Sequence, residues 1–354
     1  MKRTLCLLLI LSGLLGLSGC GQQEAASEQF FAMDTVMQLS AYGKNRNVAV
    51  EQAKQTVTAL EARLSRTQAD SEVSRINANA GQAVRVSEDT AALVRAADTY
   101  GAATGGAFDI TIAPVVSAWG FTTDHFQVPD PDALAALLAQ VDGSQVRTGS
   151  DADGTPTVTI GQAQAIDLGG IAKGYASDRV ESLFRSLEIP SGLVYLGGNV
   201  YAHGSKPDGS AWRVAVQDPA APDAYAAVLS LQDAYAVTSG GYQRYFEQDG
   251  KTYHHIIDPA TGYPAQSGLT SVTVVAAANG EDLGTAAGHG TLCDALSTAL
   301  FVKGEEKALE FWRTSDLDFD LVLVTDDGRV VLTGGLAAQY EEVEGSGYTY
   351  ELAD

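Results

Sequence analysis

Cysteine is nearly absent from this 354-residue chain, with only Cys6, Cys20 and Cys293 present. Cys6 falls in a segment expected to be removed and Cys20 at a position expected to be blocked. Cys293 then stands alone, and no intramolecular disulfide is available to the mature chain. With Leu292, Ala295 and Leu296 around it, Cys293 reads as a small buried hydrophobe, with no activating base nearby in sequence. Positive charge is also scarce. Lys and Arg number 22 against 44 Asp and Glu, a net charge of −22 that becomes about −24 without Lys2 and Arg3. That excludes the basic face nucleic-acid binding needs and keeps the domain off anionic lipid. The N-terminal apolar run, Leu5 to Leu17, is shorter than the ~20 residues of a membrane-spanning helix. No internal repeat occurs, and the only low-complexity stretch follows Cys20.

What is present begins with a targeting segment. Lys2 and Arg3 form a positive n-region, Leu5 to Leu17 an apolar h-region and Leu17-Ser-Gly-Cys20 a cleavage region. A small-residue pair directly before Cys fits a bacterial lipoprotein signal, with Cys20 lipidated as the new N-terminus; an ordinary secretory signal is the alternative. Residues 1–19 are thus expected to be a signal peptide, 20–29 the lipidated Cys and a flexible tether, and 30–354 a catalytic domain. With 45% hydrophobic residues, the domain can build a sizeable core.

Periodicity predicts a strand over Phe30–Tyr42, a helix over Asn47–Leu64 and a polar loop over Ser65–Gly81. Ser87-Glu-Asp-Thr90 caps a helix over Ala91–Thr104, and Phe108–Ile112 reads as a strand ending at Pro114. Asp130-Pro-Asp132 caps a helix over Ala133–Leu138, and two β runs flank Asp151–Gly154. Ile166–Leu168 reads as a strand entering Gly169-Gly170 and a helix over Ile171–Leu187. Strands follow over Leu193–Leu196, Trp212–Val216, Ala226–Leu231 and Ala234–Thr238, with a hairpin turning at Gln248-Asp-Gly250 and a strand over Ser271–Ala277. Helices over Asp294–Phe301 and Glu305–Trp312 precede strands over Phe319–Val324 and Val330–Leu332. Mixing of helices with antiparallel hairpins favours α+β over a doubly wound sheet.

Four constellations carry chemistry. Asp167-Leu-Gly-Gly-Ile-Ala-Lys-Gly-Tyr175 aims a helix N-terminus at an anion, typically a phosphate. Lys173 sits in that first turn, where the dipole disfavours a cation unless an anion faces it; a glycine pair used only for packing is the plainer explanation. His255 and Asp258 place an imidazole and a carboxylate before a rigid Pro259/Gly262 turn, suited to proton transfer, whereas a histidine satisfied by backbone is the ordinary case. Asp294 and Thr298, at i and i+4, share a helix face as hard oxygen ligands for Mg²⁺, or are simply an N-cap and its neighbour. Gly197-Gly-Asn199 and Thr238-Ser-Gly-Gly-Tyr242 leave apolar strands where backbone can approach a flat ligand. Tyr242, Arg244 and Tyr245 line a pocket or cover the sheet.

In order along the chain, Phe31-Ala-Met-Asp-Thr35, Ser74-Arg-Ile-Asn77, Gly106-Ala-Phe-Asp109, Asp167 to Tyr175, Gly197-Gly-Asn199, Thr238-Ser-Gly240, His255-Ile-Ile-Asp-Pro259 with Thr261-Gly262, Ser271-Val-Thr273 and Asp294-Ala-Leu-Ser-Thr298 resemble the ApbE-type FAD:protein FMN transferases, formerly labelled thiamine-biosynthesis lipoproteins. The resemblance implies a T-fold-related α+β fold, with mixed antiparallel sheets and packed helices in one catalytic domain of two lobes. It implies cleavage of FAD, FMN passing to a threonine hydroxyl of a partner while AMP leaves. The acceptors would be extracytoplasmic flavoprotein subunits of electron-transfer complexes, met by an enzyme anchored in the membrane through Cys20. It places Mg²⁺ on Asp294, Thr298 and the Gly170 carbonyl, FAD on Met33, Ala107, Phe108, Asp109, Asp167, Lys173 and Ile257, and proton transfer on His255 with Asp258 as orienter. A metal-dependent FAD pyrophosphatase and a non-catalytic flavin-binding lipoprotein are the alternatives.

The chain departs from the family at Asp34, where Gly is common, at Thr67, where some members carry a flavin-contacting Tyr, and at Gly241, often Asp or Asn. It adds a Gly-rich stretch over Ala278–Thr291, whose His289 is expected to be a solvated loop residue. Ser267-Gly-Leu-Thr-Ser-Val-Thr273 loosely resembles an acceptor motif but is expected to be turn and strand, without self-flavinylation.

Overall fold

The computed structural model describes residues 24–123, 125–279 and 287–354. The expected strand over Phe30–Tyr42 is instead a hairpin of β1 (Ala26–Ala32) and β2 (Thr35–Tyr42). Its two-residue turn puts Met33 and Asp34 at φ 48° and 59°, a primed turn that matches strand twist. Residues 26–29, expected in the tether, belong to β1. The polar side chains of Ser27, Glu28 and Gln29 suit an edge strand, whose backbone still pairs with β2.

Helix α1 (Arg46–Leu64) buries the predicted stripe Val50, Ala53, Val57, Leu60 and Leu64. The loop expected after it contains α2 (Glu72–Ala78), capped by the Ser71 hydroxyl and burying only Val73 and Ile76, too few to show a period. After β3 (Val84–Arg85), Ser87 caps α3 (Glu88–Ala103). Phe108–Ile112 is not a strand. Asp109 accepts from the Thr111 N–H at 2.8 Å and starts a 3₁₀ turn that runs into α4 (Ala113–Ala118), where Pro114 opens the helix instead of ending a strand. Then come α5 (Pro131–Leu138), β4 (Arg147–Ser150) and β5 (Pro156–Thr159). Ile166–Leu168 is not a strand, and among the described residues it pairs with none. The Asn77 side chain takes both main-chain groups of Ile166, at 2.7 and 3.0 Å, and the Asp167 N–H donates to the Ile110 carbonyl.

Helix α6 (Ala172–Ser186) leads to β6 (Ser191–Leu196), β7 (Asn199–His203), β8 (Trp212–Asp218), β9 (Ala221–Leu231), β10 (Ala234–Gly240), the hairpin β11 (Tyr245–Gln248) and β12 (Lys251–His254), and β13 (Leu269–Ala277). Helices α7 (His289–Lys303) and α8 (Glu305–Thr314) precede β14 (Asp320–Thr325), β15 (Arg329–Thr333), β16 (Tyr340–Glu342) and β17 (Thr349–Ala353). The turn and strand expected at Ser267–Thr273 are present: Gly268 turns at φ 74° into β13.

The central sheet runs β1-β2-β6-β7-β10-β13-β14-β15-β17 and is antiparallel except between β15 and β17. Alternation divides its side chains between two cores. Leu321 and Leu323 face the helices α1, α6 and α7, while Val322 and Val324 face the small sheet β16-β9-β8. A third cluster gathers Trp119, Phe121, Leu134 and Ile257.

Helix α7 is buried on nearly every side, and it starts five residues before the predicted Asp294. Its N-cap, Gly288, has no side chain. The cap comes instead from Asp178 on α6, which accepts from the N–H groups of Gly288, Gly290 and Thr291 at 3.1, 2.7 and 2.9 Å. Asp294 therefore lies within the helix and is not its cap. His289 is likewise no loop residue: it sits buried in the first turn of α7.

Candidate active site

A cavity of about 790 Å³ opens between the glycine turns, the N-terminus of α6 and the middle of α7. Every expected site residue except Asp258 lines it: Met33, Ala107, Phe108, Asp109, Asp167, Gly170, Lys173, His255, Ile257, Asp294 and Thr298. The glycine-rich turns reach it too, through Gly197 and Gly198 at the β6–β7 hairpin and Thr238 and Ser239 at the end of β10.

The α6 end carries no side-chain cap, which leaves it open to a ligand. Asp167 faces the cavity with one oxygen held by the Gly169 N–H at 2.8 Å and the other 3.3 Å from Arg66. Arg66 in turn donates to the Ala113 carbonyl at 3.0 Å. Asp109 has both oxygens engaged, Oδ1 by Thr111 and Oδ2 by the Gly143 N–H at 2.9 Å, so it shapes the wall more than it offers free acceptors. Phe108 lies over Gly170, where an added Cβ would stand 3.1 Å from the ring.

Asp294 is 3% exposed yet aimed. Its Oδ2 accepts from the Gly174 N–H at 2.8 Å, and its Oδ1 lies 3.9 Å from Lys173 Nζ. That close crossing needs glycine at 174, where a Cβ would fall 2.1 Å from the Gly290 carbonyl oxygen. One turn on, the Thr298 hydroxyl is 3.2 Å from Ser239 Oγ. A Cβ at Gly170 would stand 3.6 Å from the same hydroxyl, so Gly170 is its neighbour. One carboxylate oxygen, a hydroxyl and a nearby peptide carbonyl are the donors a hard divalent cation accepts, with phosphate oxygens completing its shell. Among the described residues, no cluster of three His, Cys, Asp or Glu offers a protein-only metal cage.

His255 is held by Arg244. Both its backbone N–H and its Nδ1 meet the Arg244 carbonyl, at 3.1 and 3.2 Å. A carbonyl only accepts, so Nδ1 carries the proton and Nε2 keeps its lone pair. Burial first, then the Arg244 charge, push the imidazole down to about 3, so it stays a neutral acceptor throughout the working range. Asp258 does not orient it. The Asp258 carboxylate accepts from the Ala260 N–H at 2.8 Å and the Thr261 hydroxyl at 3.3 Å, fixing the turn over 258–262. The orienter expected three residues away in sequence is thus a main-chain carbonyl eleven residues away.

Sequence reading missed Arg66, which lies in a stretch read as plain loop, and the carbonyl of Arg244, which no motif can reveal. It also missed Ser239, in the motif Thr238-Ser-Gly240, as the partner of Thr298. Of the aromatic-basic trio, Tyr242 and Arg244 line the cavity and Tyr245 does not. Thr67 lines it where some family members place a tyrosine.

A family model described as the ApbE family matches residues 33–322. The FAD:protein FMN transferase of Treponema pallidum is 35% identical over 343 residues, covering 91% of each chain. That of Haemophilus influenzae is 34% identical, covering 77% of each. Among solved structures, the ApbE protein of Thermotoga maritima superposes with a TM-score of 0.77 at 31% identity, covering 91% of this chain and 97% of its own. The flavinyl transferase ApbE of Pseudomonas stutzeri gives 0.74 at 29%, covering 88% and 94%.

Proposed function

The chain belongs to the ApbE family, and on that premise we propose that it is an FAD:protein FMN transferase acting on a threonine hydroxyl of a partner protein, with Mg²⁺ assisting and AMP leaving. The observation that carries this reading is the placement of His255. A neutral, half-buried imidazole with Nε2 free shares a cavity with an open helix N-terminus and the Asp294–Thr298 oxygens.

In this reading the pyrophosphate of FAD lies against the N-terminus of α6, where backbone N–H groups and Lys173 offset its charge. The threonine Oγ attacks the phosphorus of the FMN half while Nε2 of His255 takes its proton. One P–O bond forms, the bridging P–O bond breaks, and AMP departs with its phosphate. Asp294, Thr298 and the Gly170 carbonyl would hold the cation, which supplies charge neutralisation on the phosphate oxygens. Gly174 fixes Asp294 through its N–H, and the Arg244 carbonyl fixes the imidazole, so both act as positioning groups.

The reading extends to place. Leu17-Ser-Gly-Cys20 lies outside the described residues and supports an anchor at Cys20 in the cell membrane, with the domain on the extracytoplasmic side. The acceptors are then flavoprotein subunits of electron-transfer complexes exposed on that side. No helix among the described residues is long and apolar enough to cross a membrane.

The test is product analysis of the domain with FAD and Mg²⁺, with and without a threonine peptide. AMP release that depends on the peptide and is abolished by EDTA supports transfer. AMP and FMN released equally without peptide would make the protein an FAD pyrophosphatase instead.

A further inference from the structure

Among the described residues, strand β8 has a neighbour on one side only, because its sheet runs β16-β9-β8. Side chains alternate between the faces of a strand, so a cavity over one face meets every second residue. Here four consecutive residues, Val214, Ala215, Val216 and Gln217, line the cavity that holds His255. Val214 and Val216 are buried while Ala215 is exposed, so only an edge-on approach brings all four to one cavity.

The ladder shows which main-chain groups are free. The Ser230 N–H donates at 2.7 Å to the Gln339 carbonyl, on the β16 side of β9. Alternation in an antiparallel pair then turns Leu229 and Leu231 toward β8, opposite Val214 and Trp212. Ala215, opposite Val228, therefore points its N–H and C=O away from β9 to the free edge. Among the described residues, no backbone hydrogen bond outside the β8–β9 ladder engages residues 213–217. Bulges between Val216 and Gln217 and between Gln217 and Asp218 end the regular pairing there, as bulges beside active sites do.

We propose that the acceptor protein docks by adding an extended segment to the free edge of β8, paired to Ala215 through main-chain hydrogen bonds, which delivers its hydroxyl into the His255 cavity. The proposal rests on the transferase reading and names the surface that admits the partner. An edge reads main chain and not side chains. The partner segment it fits is thus extended, small enough to enter the cavity, and free of proline at the positions that pair.

The experiment uses a twelve-residue synthetic peptide with one threonine among glycine, serine and alanine, and a series carrying one backbone N-methyl group at each position in turn. The expected result is a loss of about tenfold or more in kcat/KM at alternate positions, with the positions between them tolerant. Ala215→Pro removes an edge N–H without touching the β9 ladder. It should raise the peptide KM by about tenfold and leave FAD affinity unchanged. Should the unmethylated peptide receive FMN while N-methylation costs nothing, or costs equally at every position, edge docking is overturned and the transferase reading stands. If FAD binds and the unmethylated peptide receives no FMN, the transferase reading fails and edge docking with it.

Discussion

Substituting Gly174 by alanine tests how the site carboxylate is held. The new Cβ would meet the Gly290 carbonyl oxygen at 2.1 Å and Asp294 Cβ at 2.7 Å. Both are rigid atoms, and a carbon needs more than 3.0 Å from either. Helices α6 and α7 must therefore part by about 1 Å at this crossing. Forced overpacking of that kind costs about 1–3 kcal/mol, seen as a fall of roughly 1–5 °C in Tm for a chain of this size. The same displacement carries the Gly174 N–H away from Asp294 Oδ2, which it now holds at 2.8 Å. A misplacement of about 1 Å in a reacting site is worth on the order of a hundredfold in rate. Thermal melting and the rate of FMN transfer at saturating FAD measure the two effects together. A Gly174→Ala protein with unchanged Tm and a kcat within twofold of the parent would refute the reasoning.

Further outcomes follow from three other residues. His255 is driven down to about 3 from 6.5, so the unfolded chain binds a proton below pH 6.5 that the folded chain refuses. Its contribution to stability is full above pH 6.5 and is lost toward pH 3, at up to about 1.4 kcal/mol per pH unit, a slope that His255→Gln should reduce in urea titrations between pH 4.5 and 6.5. The kcat/KM profile should correspondingly show no limb near 6.5; a limb there that vanished in His255→Gln would contradict the assignment of a base neutral over this range. Asp178→Ala leaves the donors of Gly288, Gly290 and Thr291 without their acceptor and should cost about 2–4 kcal/mol, read by chemical denaturation; a loss under 0.5 kcal/mol would mean that α7 is not capped from α6. Burial raises the Cys293 thiol well above its usual range, so it should resist alkylation at pH 8 until the protein is unfolded, as peptide mass mapping would show.

Legibility in the sequence followed locality. The α1 stripe, the Ser87 and Asp130 caps and the Gln248-Asp-Gly250 turn were readable because side chain and backbone interact within a few residues there. The failures came where a side chain turns its own backbone or where a distant group decides. Phe108–Ile112 has strand-forming residues, but Asp109 turns it into a 3₁₀ start. The beginning of α7 was misplaced because its cap is Asp178, more than a hundred residues earlier in the chain. Strand β7 was hidden behind the Gly197-Gly198 turn, and β17 joins the sheet in parallel at the far end of the chain. The site divides in the same way. Lys173, His255, Asp294 and Thr298 sit in motifs and converge on one cavity as expected. Asp258 was given a role by proximity that the structure assigns to the Arg244 carbonyl. The free edge of β8 could not be read at all, since being an edge is a property of sheet order.

The central claim is that FMN passes to a threonine hydroxyl inside the His255 cavity. It is tested most directly by tandem mass spectrometry of a single-threonine peptide after incubation with the protein, FAD and Mg²⁺. The account predicts the added mass of an FMN phosphoester on that threonine, one AMP released per modified peptide, and neither product with Asp294→Ala. An unmodified peptide beside bound, intact FAD would contradict it.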